Sequence, residues 1–582
     1  MSRLTRRPLG LAALFVAALV FSALTMLQGI QPNDEGLMLQ AAARISSGQV
    51  PYSDFWWFYP PGQPYLLAGF DWLFGPSLLW WRVVRVLVNA FVVVLVYVLA
   101  RRAAPRGLSL VAAGVACGAM AFPSGPHPFP IALALCLGAF LLVERPALAG
   151  VLVGLAGVWR IEFAAYAGLA VLVAYLVRPR ALGRRVRAAG AFAGAALLAA
   201  LALYAPVVLS AGLGDSWDLL VDYPLTDFTD YQSLPFPLDY DGLLNTSSIG
   251  GFFSDSSEPI LHFYLPLALV IGLVGSLVAL ALGWSRERWW QVAPAVFALG
   301  MTHYLLVRPD IFHTAPLAVT LSVLGAWALA ARPRRSEAAA DPAGSAAASE
   351  EANCGVSHPG VSRPGEEANR GVSHPGVSRP GVNRLSRPRG TAPSLGAAPS
   401  AWRRRLGFAG ALLAAFALAY AAAEGVDRFA HGLFDDSVAL DVPAADGVRV
   451  APSQERALEE VVRYVRRCVP AGAPIYVATR RADIVTSGHP LLYVLTERPN
   501  ASRYDIAAPG VVTSAPVQRE IVSDLERADR PLVVRWVDPL TAAPEPNRAG
   551  KSSGVRVLDD FLARDYRQTK RFGDFVVLER RP

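Results

Sequence analysis

Asn33-Asp34-Glu35-Gly36 follows an apolar run, Leu9 to Leu27, and opens a helix-like segment that reaches about Ser47. The run is long enough to cross a bilayer. Helical spacing places Leu37, Ala41 and Ile45 on one face of the next segment, with Met38 and Ala42 beside them. Such a segment is expected to lie along the membrane interface rather than across it. Two adjacent carboxylates at the foot of a span have two readings. A helix start favours Asn or Asp as a cap and Glu in the first turn. The pair can equally do chemistry, one carboxylate capping while the other works. Spacing alone supports both.

The rest of the chain says which kind of protein carries this tetrapeptide. The 582 residues are 53% hydrophobic and 17% charged, too apolar for a soluble protein of this size. Apolar stretches recur at about 9–27, 83–100, 107–122, 129–143, 147–159, 163–177, 188–211, 260–283, 291–306, 314–331 and 406–423. The fold class is therefore a polytopic α-helical membrane protein of about 11 transmembrane helices, with a C-terminal soluble α/β domain. Arg3, Arg6 and Arg7 precede the first run, and no small-residue cleavage site comes after it, so it reads as a retained signal anchor.

Arginine placement sets the orientation. With the N-terminus cytoplasmic, the inside loops hold Arg101, Arg102, Arg106, Arg145, the Arg178–Arg187 cluster, Arg286, Arg288 and Arg332 to Arg335. The opposite loop 212–258 has neither Lys nor Arg. That is the positive-inside pattern, and it explains the net charge of +8 without any nucleic-acid partner. It places the loop 28–81, the loop 212–258 and residues 425–582 outside the cytoplasm. Nearly all the basic residues are arginine, which reflects a GC-rich, bacterial coding bias and no mechanism.

Domain boundaries come from composition. Residues 1–331 form the membrane part. Residues 332–402 are Pro/Gly/Ser-rich, with Glu350-Glu351-Ala352-Asn353 recurring at Glu366-Glu367-Ala368-Asn369. Such material buries no core and is expected to be a disordered cytoplasmic linker. Its His358 and His374 come with the repeat. A last span covers 403–424. Residues 425–582 alternate helix and strand signals, with Ser453 as a cap for a helix to Val469, strands at 474–478 and 532–537, and a hairpin around Gly573-Asp574. The four cysteines have no metal or disulfide spacing.

The tetrapeptide and the residues after it resemble a known family. Asn33-Asp34-Glu35-Gly36, an Ala-rich amphipathic helix, Gly48-x-x-Pro51-Tyr52, and Pro60-Pro61-Gly62 with Tyr65 are similar in order to the first extracytoplasmic loop of type C glycosyltransferases, among them protein O-mannosyltransferases and lipid A aminoarabinose transferases. The resemblance is strongest over residues 28–100. It implies a polyprenyl-phosphate-linked sugar as donor and an extracytoplasmic glycan, lipid or protein as acceptor. It makes Asp34 the general base, because a carboxylate can take the acceptor's proton as the hydroxyl attacks. Glu35 would orient Asp34 or the acceptor, and Tyr52 and Tyr65 would belong to the substrate site.

Such a donor needs fixed cations on the outer side, and arginine suits phosphate. Arg82 and Arg85 lie one turn apart, Arg160 sits near Glu162, and Arg308 sits near Asp310 and His313. Arg308 with His313 reads as the best phosphate site, Glu162 and Asp310 as orienting groups. The bland alternative makes Arg160–Glu162 and Arg308–Asp310 structural ion pairs. Arg44 is expected to meet lipid headgroups.

Loop 212–258 holds nine acids and eight aromatics. Trp217, Tyr223, Phe228, Tyr231, Phe236 and Tyr240 offer flat faces to a sugar, with Asp222, Asp227 and Asp230 as hydrogen-bond partners. Asp239-Tyr240-Asp241 is too short a motif to assign a metal, so no metal or cofactor is assigned. The loop at Pro123 to Pro128 has His127 but no acid, where some relatives carry a second carboxylate. Two other functions fit the composition: a transporter or flippase of lipid-linked sugars, and a non-catalytic scaffold that binds wall glycans.

Overall fold

The computed structural model describes residues 6–121, 128–234, 236, 248, 259–331 and 401–582. His127, the tripeptide 239–241 and the linker up to residue 400 lie outside the described residues. Each of the eleven apolar stretches falls on a helix. Among the described residues, five helices are long and apolar enough to cross a membrane: Leu79–Ala100, Leu182–Ala211, Ile260–Leu282, Arg286–Val307 and Phe312–Ala330. Shorter apolar helices cover Pro8–Ala23, Arg106–Ala119, Phe129–Leu141, Pro146–Trp159 and Ile161–Val177. This is a multi-pass membrane protein.

The helices that matter for the site are α1 (Asp34–Ser46), α2 (Gly62–Phe74), α3 (Leu79–Ala100), α4 (Pro146–Trp159), α5 (Ile161–Val177), α6 (Leu182–Ala211), α7 (Val292–Val307), α8 (Ile311–Ala330) and α9 (Ala401–Phe434). Small residues let them approach. Gly150 and Gly154, spaced as G-x-x-x-G on α4, leave no room for a Cβ against the α6 backbone at Phe192 and Ala196. Helix α9 begins inside the predicted linker, at Ala401, and runs past the predicted end of the last span. Its 34 residues reach roughly 51 Å, more than a ~30 Å hydrocarbon core needs.

Beyond α9 the chain alternates helix and strand. Strands Val438–Ala439 (β1) and Arg449–Val450 (β2) form a small antiparallel pair. A four-stranded sheet has the order β3-β4-β6-β5, with β3 at Tyr476–Thr479, β4 at Val533–Trp536, β5 at Tyr566–Phe572 and β6 at Phe575–Arg580. β3 and β4 are parallel, and β6 runs antiparallel to both its neighbours. The hairpin turns at Gly573-Asp574, where Gly573 takes φ +52°. Helices α10 (Pro452–Cys468), α11 (Leu491–Thr496), α12 (Ala515–Arg527) and α13 (Val557–Asp565) accompany the sheet. Ser453 does not cap α10. Ala451 holds that position and Pro452 takes the first turn, where its missing N–H costs nothing.

This region is not a loosely attached appendage. One apolar core runs from Leu37, Tyr52 and Trp81 through to Leu458, Val534 and Leu578. A second core, among them Val96, Leu133, Phe163, Phe297 and Leu321, lies within the bundle.

Candidate functional site

Helix α1 is embedded between the bundle and the sheet region. Glu35 to Ala42 and Arg44 are buried, so α1 does not lie in the interface as its one-sided pattern suggests. Gly36 shows why. A Cβ there would overlap the backbone of Leu491 at the start of α11, whose N–H donates to Pro32 O at 3.1 Å. Arg44 meets no headgroup. It pairs with Asp505 at 2.6 Å and lies 5.4 Å from the centroid of the Phe55 ring.

The cap reading fails for Asn33, whose side chain makes no capping hydrogen bond to α1. Instead its Nδ2 donates to Asp34 Oδ1 at 3.0 Å, and its Oδ1 accepts from Gly488 N–H at 3.4 Å. Asp34 remains half-buried. Glu35 is sealed. It forks onto Arg82 through Nε–Oε1 at 2.7 Å and Nη2–Oε2 at 2.9 Å, and both side chains are 0% exposed. Arg82 also donates to Met26 O and Gly29 O. Arg82 is thus engaged by Glu35 and two carbonyls, and Glu35 is bonded to Arg82 and to the Gln31 N–H rather than to Asp34. Arg85, one turn on, is 2% exposed, and its Nη1 and Nη2 have no hydrogen-bond partner.

The other predicted residues converge on a phenol that sequence reasoning missed. Tyr59 ends the run Phe55-Trp56-Trp57-Phe58-Tyr59. Tyr52 holds this run in place: it is fully buried, takes φ +77°, and donates through its hydroxyl to Tyr59 O at 3.0 Å. Tyr65 is 38% exposed at the first turn of α2. Burial pushes Tyr59 up to about 12. Arg160 works against that shift, while Asp34 and Glu162 add to it and Arg308 opposes it. Asp34, Arg160, Glu162 and Arg308 thus all bear on the titration of the half-buried Tyr59 phenol.

From Tyr59 a chain of contacts runs to the sheet region. Arg160 lies 5.8 Å from the Tyr59 ring, pairs with Glu162 at 2.6 Å and donates to Tyr304 Oη at 3.0 Å. The Tyr304 ring lies 4.4 Å from that of His313. His313 Nδ1 is 2.7 Å from Asp310 Oδ1, and Asp310 caps α8 by accepting from His313 N–H. Burial alone would raise the Asp310 carboxyl, but His313 and Arg308 outweigh it and hold it below the usual carboxylate range. Arg308 binds Asp310 at 3.0 Å and, from the sheet region, Glu545 at 2.8 Å. Both structural ion pairs weighed from the sequence are thus present. Glu162 stays 34% exposed and Arg308 23% exposed, so this cluster, unlike Arg82–Glu35, meets solvent.

Three members had weak or no sequence signal. Tyr59 stood in a run of five aromatics, Tyr304 one turn before Arg308, and Glu545 had none. The aromatics of loop 212–258 divide. Tyr223 packs edge-on against Trp56 at 5.0 Å and Phe228 lies 5.6 Å from Phe58, extending the Tyr59 wall. Phe236 stacks on Phe263, Arg548 lies over Tyr231, and Trp217 is exposed. Among the described residues no group of three His, Cys, Asp or Glu is placed to hold a metal.

This arrangement of helical bundle and sheet-containing C-terminal region has counterparts among solved structures. The chain is similar in structure to ArnT from Cupriavidus metallidurans bound to undecaprenyl phosphate, with a TM-score of 0.52 at 15% identity over 98% of each chain. Against apo ArnT the TM-score is 0.50 at 14% identity, again over 98% of each chain. No family model matches the sequence, and no curated protein matches it.

Proposed function

We propose that this chain is an integral-membrane glycosyltransferase that moves a sugar from a polyprenyl-phosphate donor to an extracytoplasmic acceptor, with Asp34 as general base. The observation that carries the reading is the partly exposed Arg160–Glu162 pair beside Tyr59, in a fold shared with a protein bound to undecaprenyl phosphate. The positive-inside pattern puts that pair on the outer face, with the N-terminus cytoplasmic. In the reaction an acceptor hydroxyl gives its proton to Asp34 and forms a bond to the anomeric carbon. The bond from that carbon to the phosphate oxygen breaks, and polyprenyl phosphate leaves with the electron pair.

The leaving phosphate needs buried cations that are not already neutralised. Arg85 fits better than Arg82, because a phosphate oxygen would satisfy its two unpartnered nitrogens. Arg308 fits if Glu545 gives way. Arg160, held by Glu162 and Tyr304, is suited to line the sugar site with Tyr59.

The test is incubation of purified protein with a panel of polyprenyl-phosphate sugars, reading release of free polyprenyl phosphate with and without glycan, lipid and protein acceptors. Acceptor-dependent release that Asp34→Asn abolishes is the expected result. Flux of the lipid-linked sugar across proteoliposomes without a covalent product would make the protein a transporter instead.

A further inference from the structure

The sheet carries an open groove of about 710 Å³ that the transfer reading does not use. This is within the usual range for ligand sites. Its charge is one-sided: Arg480, Arg535, Arg567, Arg571 and Arg581 line it, against one carboxylate, Asp574. Sheet register explains part of the cluster. Arg535 on β4 and Arg571 on β5 both pair with Val576 on the strand between them, so all three share a face. Two strand spacings of about 4.8 Å set the two stems roughly 10 Å apart. Arg480 comes just after the end of β3, beside Val537 of the β4 edge of the groove.

Neighbouring arginines are neutralised and these are not. Arg530 and Arg564 pair with Asp565, and Arg580 pairs with Asp529. Among the described residues none of the five groove arginines is in an ion pair. Two polar groups in the lining are also incomplete. Arg535 Nε is buried without a hydrogen-bond partner. So is the hydroxyl of Tyr566, a residue 2% exposed. Groups like these are completed by a ligand or by water. Burial holds Arg535 below its ordinary pKa, with Asp559 and Tyr476 opposing the shift.

Among the described residues the groove lining takes no part in the docking contacts. The sheet region meets the bundle and its loops through residues that include Ala444, Arg449, Gly488, Leu491, Asp505 and Glu545. The bonds made by groove residues stay local, as in Arg571 Nε to Gly573 O and Arg581 Nε to Tyr566 O.

We propose that this groove binds an extended soluble polyanion, a chain whose repeated charges are phosphates or carboxylates. Guanidinium forks bind either group, and a row of stems with more than one charge favours a chain over a single ion. The site is independent of the sugar-transfer reading and would stand if that reading fell.

The experiment uses the full chain in phosphatidylcholine nanodiscs. Fluorescently labelled polyphosphate, polygalacturonate and neutral dextran are titrated in turn. One or both polyanions bind and dextran does not, and binding weakens as salt rises. Which polyanion binds identifies the charged group. The triple variant Arg480→Gln, Arg567→Gln, Arg571→Gln, all exposed positions, weakens polyanion binding roughly tenfold. Arg456→Gln with Arg463→Gln, exposed and ion-paired on α10, leaves it unchanged. Tyr566→Phe weakens binding severalfold without moving the melting temperature. Failure of both polyanions to bind, equal binding by the triple variant, or equal loss in the α10 control would each overturn the proposal. So would a triple variant that loses association with phosphatidylglycerol vesicles while keeping the polymer.

Discussion

Two arginine–carboxylate arrangements, one at the acidic tetrapeptide and one reaching from Tyr59 to Glu545, differ in one respect. Arg82–Glu35 is closed, with both side chains 0% exposed and the guanidinium spent on a carboxylate and two carbonyls. The cluster from Arg160–Glu162 to Arg308–Asp310 and Glu545 is open, with side chains 12–34% exposed. Geometry within the pairs is similar, at 2.6–3.0 Å. Burial therefore decides their roles. A sealed pair cannot trade partners without stranding a charge, whereas a half-exposed pair can release one to a substrate.

The sharpest way to break this comparison is to remove one member of each pair. Glu35→Gln leaves Arg82 buried without its counter-charge, a loss of about 3–5 kcal/mol. Glu162→Gln, at a partly exposed position, changes stability by about 1 kcal/mol or less. Thermal unfolding of detergent-solubilised protein reads both, and equal shifts would erase the distinction.

The next effect separates Asp34 from its neighbour. Asp34→Asn is isosteric, and Asp34 is half-buried, so melting stays put while transfer falls by about 10²–10⁴, the usual contribution of a general base. A stability loss matching that of Glu35→Gln would make Asp34 structural as well.

Smaller effects are expected within the open cluster, and in opposite directions. Arg308→Gln removes a cation held by two carboxylates and raises the KM for the polyprenyl-phosphate donor about tenfold. Glu545→Gln frees Arg308 from a competing anion and lowers that KM by about twofold to fivefold. Parallel changes in both variants would mean that Glu545 supports the donor rather than competing with it.

Legibility in the sequence tracked the range of the interactions. Apolar runs and arginine spacing are local, so the helices were legible. Arg160–Glu162 and Arg308–Asp310 are two residues apart, and were legible as pairs. Arg44–Asp505 and Arg308–Glu545 join residues 461 and 237 positions apart, and no local pattern encodes them. For the same reason α1 looked interfacial. Its polar side faces Asp505 rather than water, and its buried Gly36 has meaning only against Leu491. Arg82 looked like an outward cation because its partner, Glu35, had been reserved for chemistry.

Asp71 tests the comparison from the other side, because it is a carboxyl with no arginine. It lies on α2, its Oδ1 is buried without a hydrogen-bond partner, and burial pushes it up to about 7. Its unfolded value is near 3.8, so between these two pH values the folded state holds more protons than the unfolded chain. Stability contributed by this group must then fall as pH rises from about 4 to about 7, and level off above. Asp310 runs the opposite way: His313 and Arg308 depress it, so its contribution is intact above about 3.8 and is lost only under stronger acid. Between roughly pH 5 and pH 8 the two carboxyls are thus separable, since only Asp71 titrates differently in the two states there. Asp71→Asn should flatten the slope of melting temperature across that range, and Asp310→Asn should lower the curve without changing its slope. An unchanged slope in Asp71→Asn would mean that Asp71 gains a partner in solution and belongs with the paired carboxylates after all.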